Sequence, residues 1–498
     1  MALIVIILFC NGIAQAYGGL TPREPEPRTS VTPPPAPVPP TVPQTASPVS
    51  SQSAASQTLH PATQPLAVVA EKLPWRQTFN SLSIPNFRIF TAGHFVAVIA
   101  VWMQRIAQDW LVLQLSGSVT AVGVTAALQF LPSLVLGPWG GALTDRLPKR
   151  RILIATQSAA ALLAASLAVL ALSGRIEVWH CYLIALILGL VTVLDQPARQ
   201  VFVNELVGPE HLRNAISVNS TVFQLGGLIG PFLAGVLLNA VGAGWAFAIN
   251  ALACCCTVLS LTAMNRDRLH VSAPAPRQKG MVRQAVQYAL RKPTIRWPWL
   301  MAAFVSLFAL SLPVQLAAFA DRVYDVGAGG YGLLNAMLAL GALLGAVTST
   351  RRRRLQVRSA VFAAGAYGVM LCIASLVPGL VAFCVLMVCS GFCSLLFLTA
   401  ANQLVQTSSN TAIRGRVMSL YLVVLMGGQA LGGPMMGSLA EHFGPHVSLF
   451  VSGVVPAVAA AVVSVVLARQ GKLRLQVRLR GYRPSFRISG GVARAADG

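Results

Sequence analysis

From residue 90 onward the chain is a succession of long apolar runs separated by short polar gaps. The runs fall at 90–113, 119–143, 152–173, 178–198, 215–239 and 244–264. After a longer polar gap they resume at 297–320, 330–350, 359–376, 380–401, 417–438 and 447–468. Each is close to the ~20 residues that an α-helix needs to cross the hydrocarbon core of a bilayer. The pattern predicts an all-α integral membrane protein with twelve transmembrane helices in two sets of six. Soluble core helices would need amphipathic helices to cover them, and twelve full-length apolar runs leave none.

Composition points the same way. Apolar residues make up 55% of the 498 positions and charged residues only 10%, against about 25% charged in a soluble domain. That is too little charge to coat several water-soluble domains, which argues against a cytosolic enzyme. The net charge of +23, from 37 Lys and Arg against 14 Asp and Glu, fits either a nucleic-acid binder or a membrane protein with basic cytoplasmic loops.

The position of each basic residue decides between them. Gaps after even-numbered spans carry Arg146, Lys149, Arg150 and Arg151, then Arg199 and Arg213, then Arg351 to Arg354 with Arg358, then Arg414 and Arg416. The central gap and the C-terminal tail carry most of the rest, while gaps after odd-numbered spans hold only Arg175 and Arg322. Basic loops stay in the cytoplasm, so both ends of the helical unit are expected there, in a cell (inner or plasma) membrane. No nucleic-acid partner is expected. The basic tail is suited to touching anionic lipid headgroups.

The domain plan has five parts. Residues 1–86 form an N-terminal extension, 87–264 the first six-helix bundle, 265–296 a cytoplasmic linker, 297–468 the second bundle and 469–498 the basic tail. Thirteen of the 31 prolines lie between Pro22 and Pro65, a composition that builds no packed core. The apolar stretch Ala2 to Phe9, followed by Ala14-Gln15-Ala16, is like a signal peptide without its basic start. An extension without function and a targeting or anchoring segment both remain open. Residues 281–299 form a basic amphipathic segment suited to the membrane surface between the halves.

Two features suggest that the halves are duplicates. GGLIGPFLAG (226–235) in span five and GGQALGGPMMG (427–437) in span eleven are both rich in glycine around a proline. Pro231 and Pro434 are 203 positions apart, and so are Arg213 and Arg416. Two shared offsets in corresponding spans are the mark of an internal repeat, common among transporters. The glycines allow close helix approach, and each proline bends its helix.

The segment GALTDRLPKRR (141–151), between spans two and three, resembles the loop motif of the major facilitator superfamily through Gly141, Leu143, Asp145, Arg146, Lys149 and Arg150, with Pro148 where glycine is usual. The resemblance implies a cytoplasmic gate. In that family the Asp faces a helix N-terminus and the Arg pairs with an acid at the end of span four, where this chain has Asp195 and Arg199. Gly226, Gly230, Pro231 and Gly235 resemble the antiporter signature of the superfamily, with Ala234 as a departure. That implies export in exchange for protons. Residues 181–194 carry no charge, so the coupling Arg that drug exporters place in span four is missing. The strings at 86–118, 127–141 and 194–207 resemble the enterobactin-exporter and transmembrane secretion effector branch, over about residues 86–468.

A charge inside a membrane costs roughly 3 kcal/mol or more and is a functional candidate by default. Span one holds Arg105 and Asp109, one turn apart, with Trp102 and Gln108 alongside. An Asp beside an Arg can exchange their ion pair for a proton, as coupling to a proton gradient requires. A permanent structural salt bridge is the competing reading. Gln315 in span seven and Asn402 in span ten are candidates to line the cavity that the superfamily builds from spans one, four, seven and ten. For these, and for Gln129, Asn219, Gln224, Asn335, Tyr421 and Gln429, helix-to-helix hydrogen bonding is the plainer role.

No phosphate-binding GxxxxGK[ST], catalytic triad or zinc-protease signature occurs, and the cysteines within spans read as small apolar filler. No enzyme activity, cofactor or metal is expected. The expected partners are the bilayer, a small-molecule substrate and protons. The function expected is secondary active transport, as proton-driven export of a drug or siderophore by alternating access. An importer or facilitator on the same fold, or a scaffold or receptor that transports nothing, are the alternatives.

Overall fold

A computed structural model of the chain describes residues 81–264, 282–349, 356–410, 413–470, 474–480 and 483–489. The Pro-rich extension as far as residue 80, the linker at 265–281 and Arg351 to Arg354 lie outside the described residues.

Twelve helices are long and apolar enough to span a membrane. The first half comprises Pro85–Ser116, Val119–Gly137 within a helix that runs on to Arg146, Lys149–Leu172, Val178–Gly208, Glu210–Ala240 and Ala243–Ala263. The second comprises Pro293–Val323, Gly327–Ser349, Val357–Ala374, Leu380–Ser408, Arg414–Phe443 and Pro445–Arg469. Every apolar run read from the sequence has its helix, and most helices extend several residues further at their ends. Together they form two pseudo-symmetric six-helix bundles.

Local chemistry sets the junctions. Pro85 opens span one, where its fixed φ suits a helix start and its missing N–H is not needed. Gly117 ends that span at φ 64°, a left-handed conformation that glycine adopts without strain. Ser118 then caps span two by accepting from the N–H of Ala121. Spans four and five differ from the expected polar loop. They run as one helical path from Val178 to Ala240, broken only at Gly208 (φ 69°, ψ 178°), just before Pro209. Residues 141–146 are likewise helical, as the last turns of span two, which leaves only Leu147 and Pro148 between spans two and three.

Between the halves, a short helix at Val282–Arg291 leads directly into span seven. Lys292 Nζ donates to the Ser408 carbonyl at the end of span ten (2.7 Å), and the Asn410 N–H donates to Tyr288 Oη (3.2 Å). Beyond span twelve the basic tail forms an antiparallel hairpin of β1 (Arg474–Arg480) and β2 (Arg483–Ser489), with Arg480 opposite Arg483. The helical class therefore describes the membrane unit, and the hairpin is an addition outside it.

Glycines bring the helices together in the same way in both halves. A Cβ on Gly230 would lie 2.6 Å from Trp102 Cβ, and one on Gly226 would strike Val98, so span five packs on span one. In the second half Gly428 and Gly432 press on Ser306, Leu307 and Ser311, so span eleven packs on span seven. Other glycines join the halves. A Cβ on Gly332 of span eight would lie 2.6 Å from Gly235 Cα and from the Pro231 carbonyl oxygen of span five. Cβ atoms on Gly433 and Gly437 of span eleven would lie 2.7 Å from the Gly123 and Val119 carbonyl oxygens of span two. These contacts lie toward the face that carries the connections after odd-numbered spans.

Such contacts are intolerant of one methyl group. We expect Gly123→Ala, whose methyl meets the Gly433 backbone, to destabilise the protein by about 1–3 kcal/mol. Gly137→Ala in the same helix meets open space and is expected to be neutral or slightly stabilising. Thermal unfolding of the two variants in detergent checks this, and equal midpoints would contradict it.

Candidate functional site

Between the two halves lies a cavity of about 310 Å³. Span one contributes Trp102, Arg105 and Asp109, and span two Gln129 and Phe130. Span five contributes Phe223, Gln224 and Pro231, span seven Leu310 to Val314, span eight Asn335, span nine Tyr367 and span eleven Gln429. Trp102, Arg105 and Asp109 follow at steps of three and four, so one face of the helix carries all three.

The expected ion pair between Arg105 and Asp109 is not formed. The guanidinium of Arg105 lies 5.2 Å from the ring centroid of Trp102 and 5.4 Å from that of Phe130. Asp109 is 3% exposed, and its Oδ2 accepts from Tyr331 Oη on span eight at 3.3 Å. Its Oδ1 has no hydrogen-bond partner among the described residues. Trp110 stacks on the Tyr331 ring at 5.7 Å and holds it in place. The Tyr331–Asp109 bond therefore crosses from one half to the other beside the cavity.

Span seven is broken where it borders this space. Val305–Ala309 is a π-turn, Leu310 and Ser311 form a turn, and Leu312–Ala318 resumes the α-helix. Pro313 explains the break. It has no N–H for the Ala309 carbonyl four residues earlier, and its ring crowds that carbonyl. Tyr367 Oη supplies the missing donor at 2.8 Å. Ser311 lines the cavity, and its buried Oγ has no partner among the described residues.

Three other predicted residues lie away from the cavity. Gln108, one position from the lining face, donates to the Cys181 carbonyl at 3.1 Å and ties span one to span four. Gln315 is fully buried and donates to Ser448 Oγ and Ser452 Oγ of span twelve at 2.8 and 2.6 Å. The π-turn at Val305–Ala309, wider than an α-turn, and the break after it rotate Gln315 from the phase of an unbroken helix. Asn402 lies one turn beyond the lining residue Leu398 and accepts from Gln406 at 2.8 Å.

The motif residues at the opposite end of the first half form a separate system. Asp195 and Arg199 pair at 2.9 Å within span four. Asp195 Oδ1 also accepts from Thr156 Oγ1 (2.8 Å) and Gln157 Nε2 (2.9 Å) of span three. Arg199 Nη1 donates to His94 Nδ1 of span one at 3.0 Å. Asp195 is thus satisfied inside its own half, whereas Arg146 is exposed and not paired with it. Arg150 donates to the Leu261 and Thr262 carbonyls (2.7 and 2.8 Å), which satisfies the end of span six. Lys149 opens span three and Gly141 lies in the last turns of span two. The side chain of Asp145 lies outside the described residues.

A polar contact between the halves escaped the sequence reading. Glu441, near the end of span eleven, accepts through Oε2 from Ser118 Oγ (2.6 Å), the Thr120 N–H (3.0 Å) and Thr120 Oγ1. A carboxylate of one half thereby caps the N-terminus of a helix in the other, where the helix dipole favours negative charge. Arg322 Nη2 reinforces it by donating to the Gly117 carbonyl at 2.8 Å. With the glycine contacts beside it, this latch joins the halves at the face of the odd-numbered connections.

Comparison with known proteins places this architecture among transporters. The family model described as transmembrane secretion effector matches residues 76–481. The chain is 26% identical over 377 residues to the enterobactin exporter EntS of Salmonella typhimurium, covering 74% of this chain and 89% of that protein. It is 28% identical over 399 residues to the multidrug efflux pump Tap of Mycolicibacterium fortuitum, covering 77% and 94%. Among solved structures, a bacterial homolog of the human lysosomal transporter Spinster, inward-facing and unoccupied, superposes with a TM-score of 0.60 at 16% identity, covering 79% of this chain and 97% of that one. The nucleoside transporter NupG does so with 0.61 at 12% identity, covering 77% and 99%. At these identities the solved structures speak for the fold.

The latch has a measurable consequence. Spin labels at Ser116→Cys and Phe443→Cys, with native cysteines replaced, are expected to give a short and narrow distance distribution. Adding Glu441→Ala is expected to broaden it toward longer distances, because the cap on span two is lost. An unchanged distribution would mean that the glycine contacts alone close this side.

Proposed function

This chain belongs to the transmembrane secretion effector family of major facilitator transporters, and we propose that it is a proton-driven exporter of small organic molecules. The chain is a multi-pass membrane transporter. The finer reading puts it in a cell (inner or plasma) membrane with both ends of the helical unit in the cytoplasm, as its basic loops favour. The face closed by Glu441 is then the outer one. The direction is supported by EntS and Tap, whose names describe an exporter and an efflux pump. The glycines at 226, 230 and 235 serve helix packing, and the segment from Gly141 to Arg150, with Asp195 and Arg199, forms the inner gate.

The observation that carries the reading is the hydrogen bond from Tyr331 to Asp109 across the halves, at the wall of the cavity. An ionised carboxylate accepts such a bond strongly. Proton binding weakens it by cancelling the charge. A substrate donor group aimed at the unpartnered Oδ1 competes for the same charge. Either event loosens the join between the halves, while the empty, ionised carrier stays locked. A carrier that switches only when it holds a proton or a substrate is an antiporter, and it does not leak protons.

Everted membrane vesicles acidified inside test this. Uptake of 8-anilinonaphthalene-1-sulfonate, followed by fluorescence, is expected to depend on the proton gradient. Asp109→Asn is expected to abolish gradient-driven uptake at normal expression. Uptake against a gradient that survives Asp109→Asn would sink coupling through this carboxyl, and uptake only in right-side-out vesicles would reverse the direction.

A further inference from the structure

We propose that the cavity takes an organic molecule with an anionic acceptor group beside a hydrogen-bond donor, on an aromatic or apolar body, and that Arg105 docks the anion. The inference rests on the cavity being the transport site. Arg105 faces it as a cation without a closed ion pair. Among the described residues its guanidinium makes no ion pair and donates no hydrogen bond, and Asp109 acts on it only through space. Its contacts are the rings of Trp102 and Phe130. Ring faces attract a cation but accept none of its five N–H bonds in the way a carboxylate does. A charge held at membrane depth with its donors unused costs stability and persists where a ligand completes it.

The surroundings define that ligand further. The planar fork of a guanidinium matches a carboxylate, sulfonate or phenolate-type acceptor. One helical turn along the same face, Asp109 Oδ1 is a buried acceptor with nothing donating to it. A ligand donor belongs there, on the same side of the molecule as its anionic group. Phe130, Phe223, Leu310, Leu338 and Leu395 supply apolar walls for the body between and around these groups. A purely cationic ligand has Arg105 against it. A purely anionic one leaves the Asp109 acceptor unmet. The donor also competes with the proton for Asp109, so this ligand class fits exchange transport.

Two probes that share one aromatic body separate the claims. 8-Anilinonaphthalene-1-sulfonate carries a sulfonate beside an N–H, and N-phenyl-1-naphthylamine keeps the N–H without the sulfonate. Their binding to the full chain in detergent is read by fluorescence against protein-free micelles, with no proton gradient present. Arg105→Met is expected to weaken the sulfonate probe about ten- to a hundredfold and the neutral probe less than about twofold. Arg105→Lys is expected to keep most of the preference for the sulfonate. Arg105→Met is also expected to unfold near the parent's temperature, because the guanidinium makes no ion pair or hydrogen bond among the described residues. Equal weakening of both probes, no weakening of either, or a marked drop in the unfolding temperature would overturn the assignment. Because binding is read without a gradient, failure here leaves coupling through Asp109 standing, and failure of the vesicle assay leaves the anion site standing.

Discussion

Two helical bundles in lipid have to hold each other without the force that holds soluble domains, because the surrounding chains are as apolar as their own side chains. Close backbone approach takes over that role, and glycine is what permits it. Gly235 meets Gly329 and Gly332, and Gly433 meets Gly123, with backbone facing backbone. Dispersion is strong at that range. It also falls off within a small separation. A join of this kind is tight when closed and short in range. The polar groups that bridge the halves, Glu441 on the start of span two and Tyr331 on Asp109, add direction to a contact that would otherwise be indifferent.

The chain also shows how little a sequence spacing decides about a charge pair. Asp195 and Arg199 are four apart, and so are Arg105 and Asp109. The first pair closes at 2.9 Å and recruits Thr156, Gln157 and His94 into one network. The second stays open. Order along the helix is part of the reason, since an acid placed one turn before a base suits the helix better than the reverse. Neighbours supply the rest. The rings of Trp102 and Phe130 hold the guanidinium, while Tyr331 takes an oxygen of the carboxylate. The closed pair is a fixed part of its bundle, and the open pair leaves two charged groups beside a cavity.

What could be read from the sequence follows from the range over which each feature is determined. The twelve spans depend on local hydropathy, and the face shared by Trp102, Arg105 and Asp109 depends only on helical periodicity, so both were legible. Tyr331, 222 positions from Asp109, and Glu441, 321 from Thr120, were not, because their roles exist only once the halves meet. Gln315 shows a third limit. It lies in the expected span, but the break caused by Pro313 changes the phase of everything after it, and the side chain meets span twelve instead of the cavity. A proline four residues after a free carbonyl is a sequence signal for that break. The partner that repairs it, Tyr367 of span nine, is not.

These strands meet in the question of why the cavity keeps unsatisfied groups at all. Ser311 Oγ and Asp109 Oδ1 could each have been given a partner by a neighbour, as Asp195 was. A fully satisfied cavity would be more stable and would have no reason to change state on binding, since a ligand that interacts equally with two states shifts neither. On the proposed mechanism, a carboxylate of Asp109 shared between Tyr331 and an unpartnered oxygen makes the bond between the halves conditional on what occupies the cavity. On the proposed exchange mechanism, packing and electrostatics act together, the glycine contacts holding the bundles and the Asp109 carboxylate setting when they part.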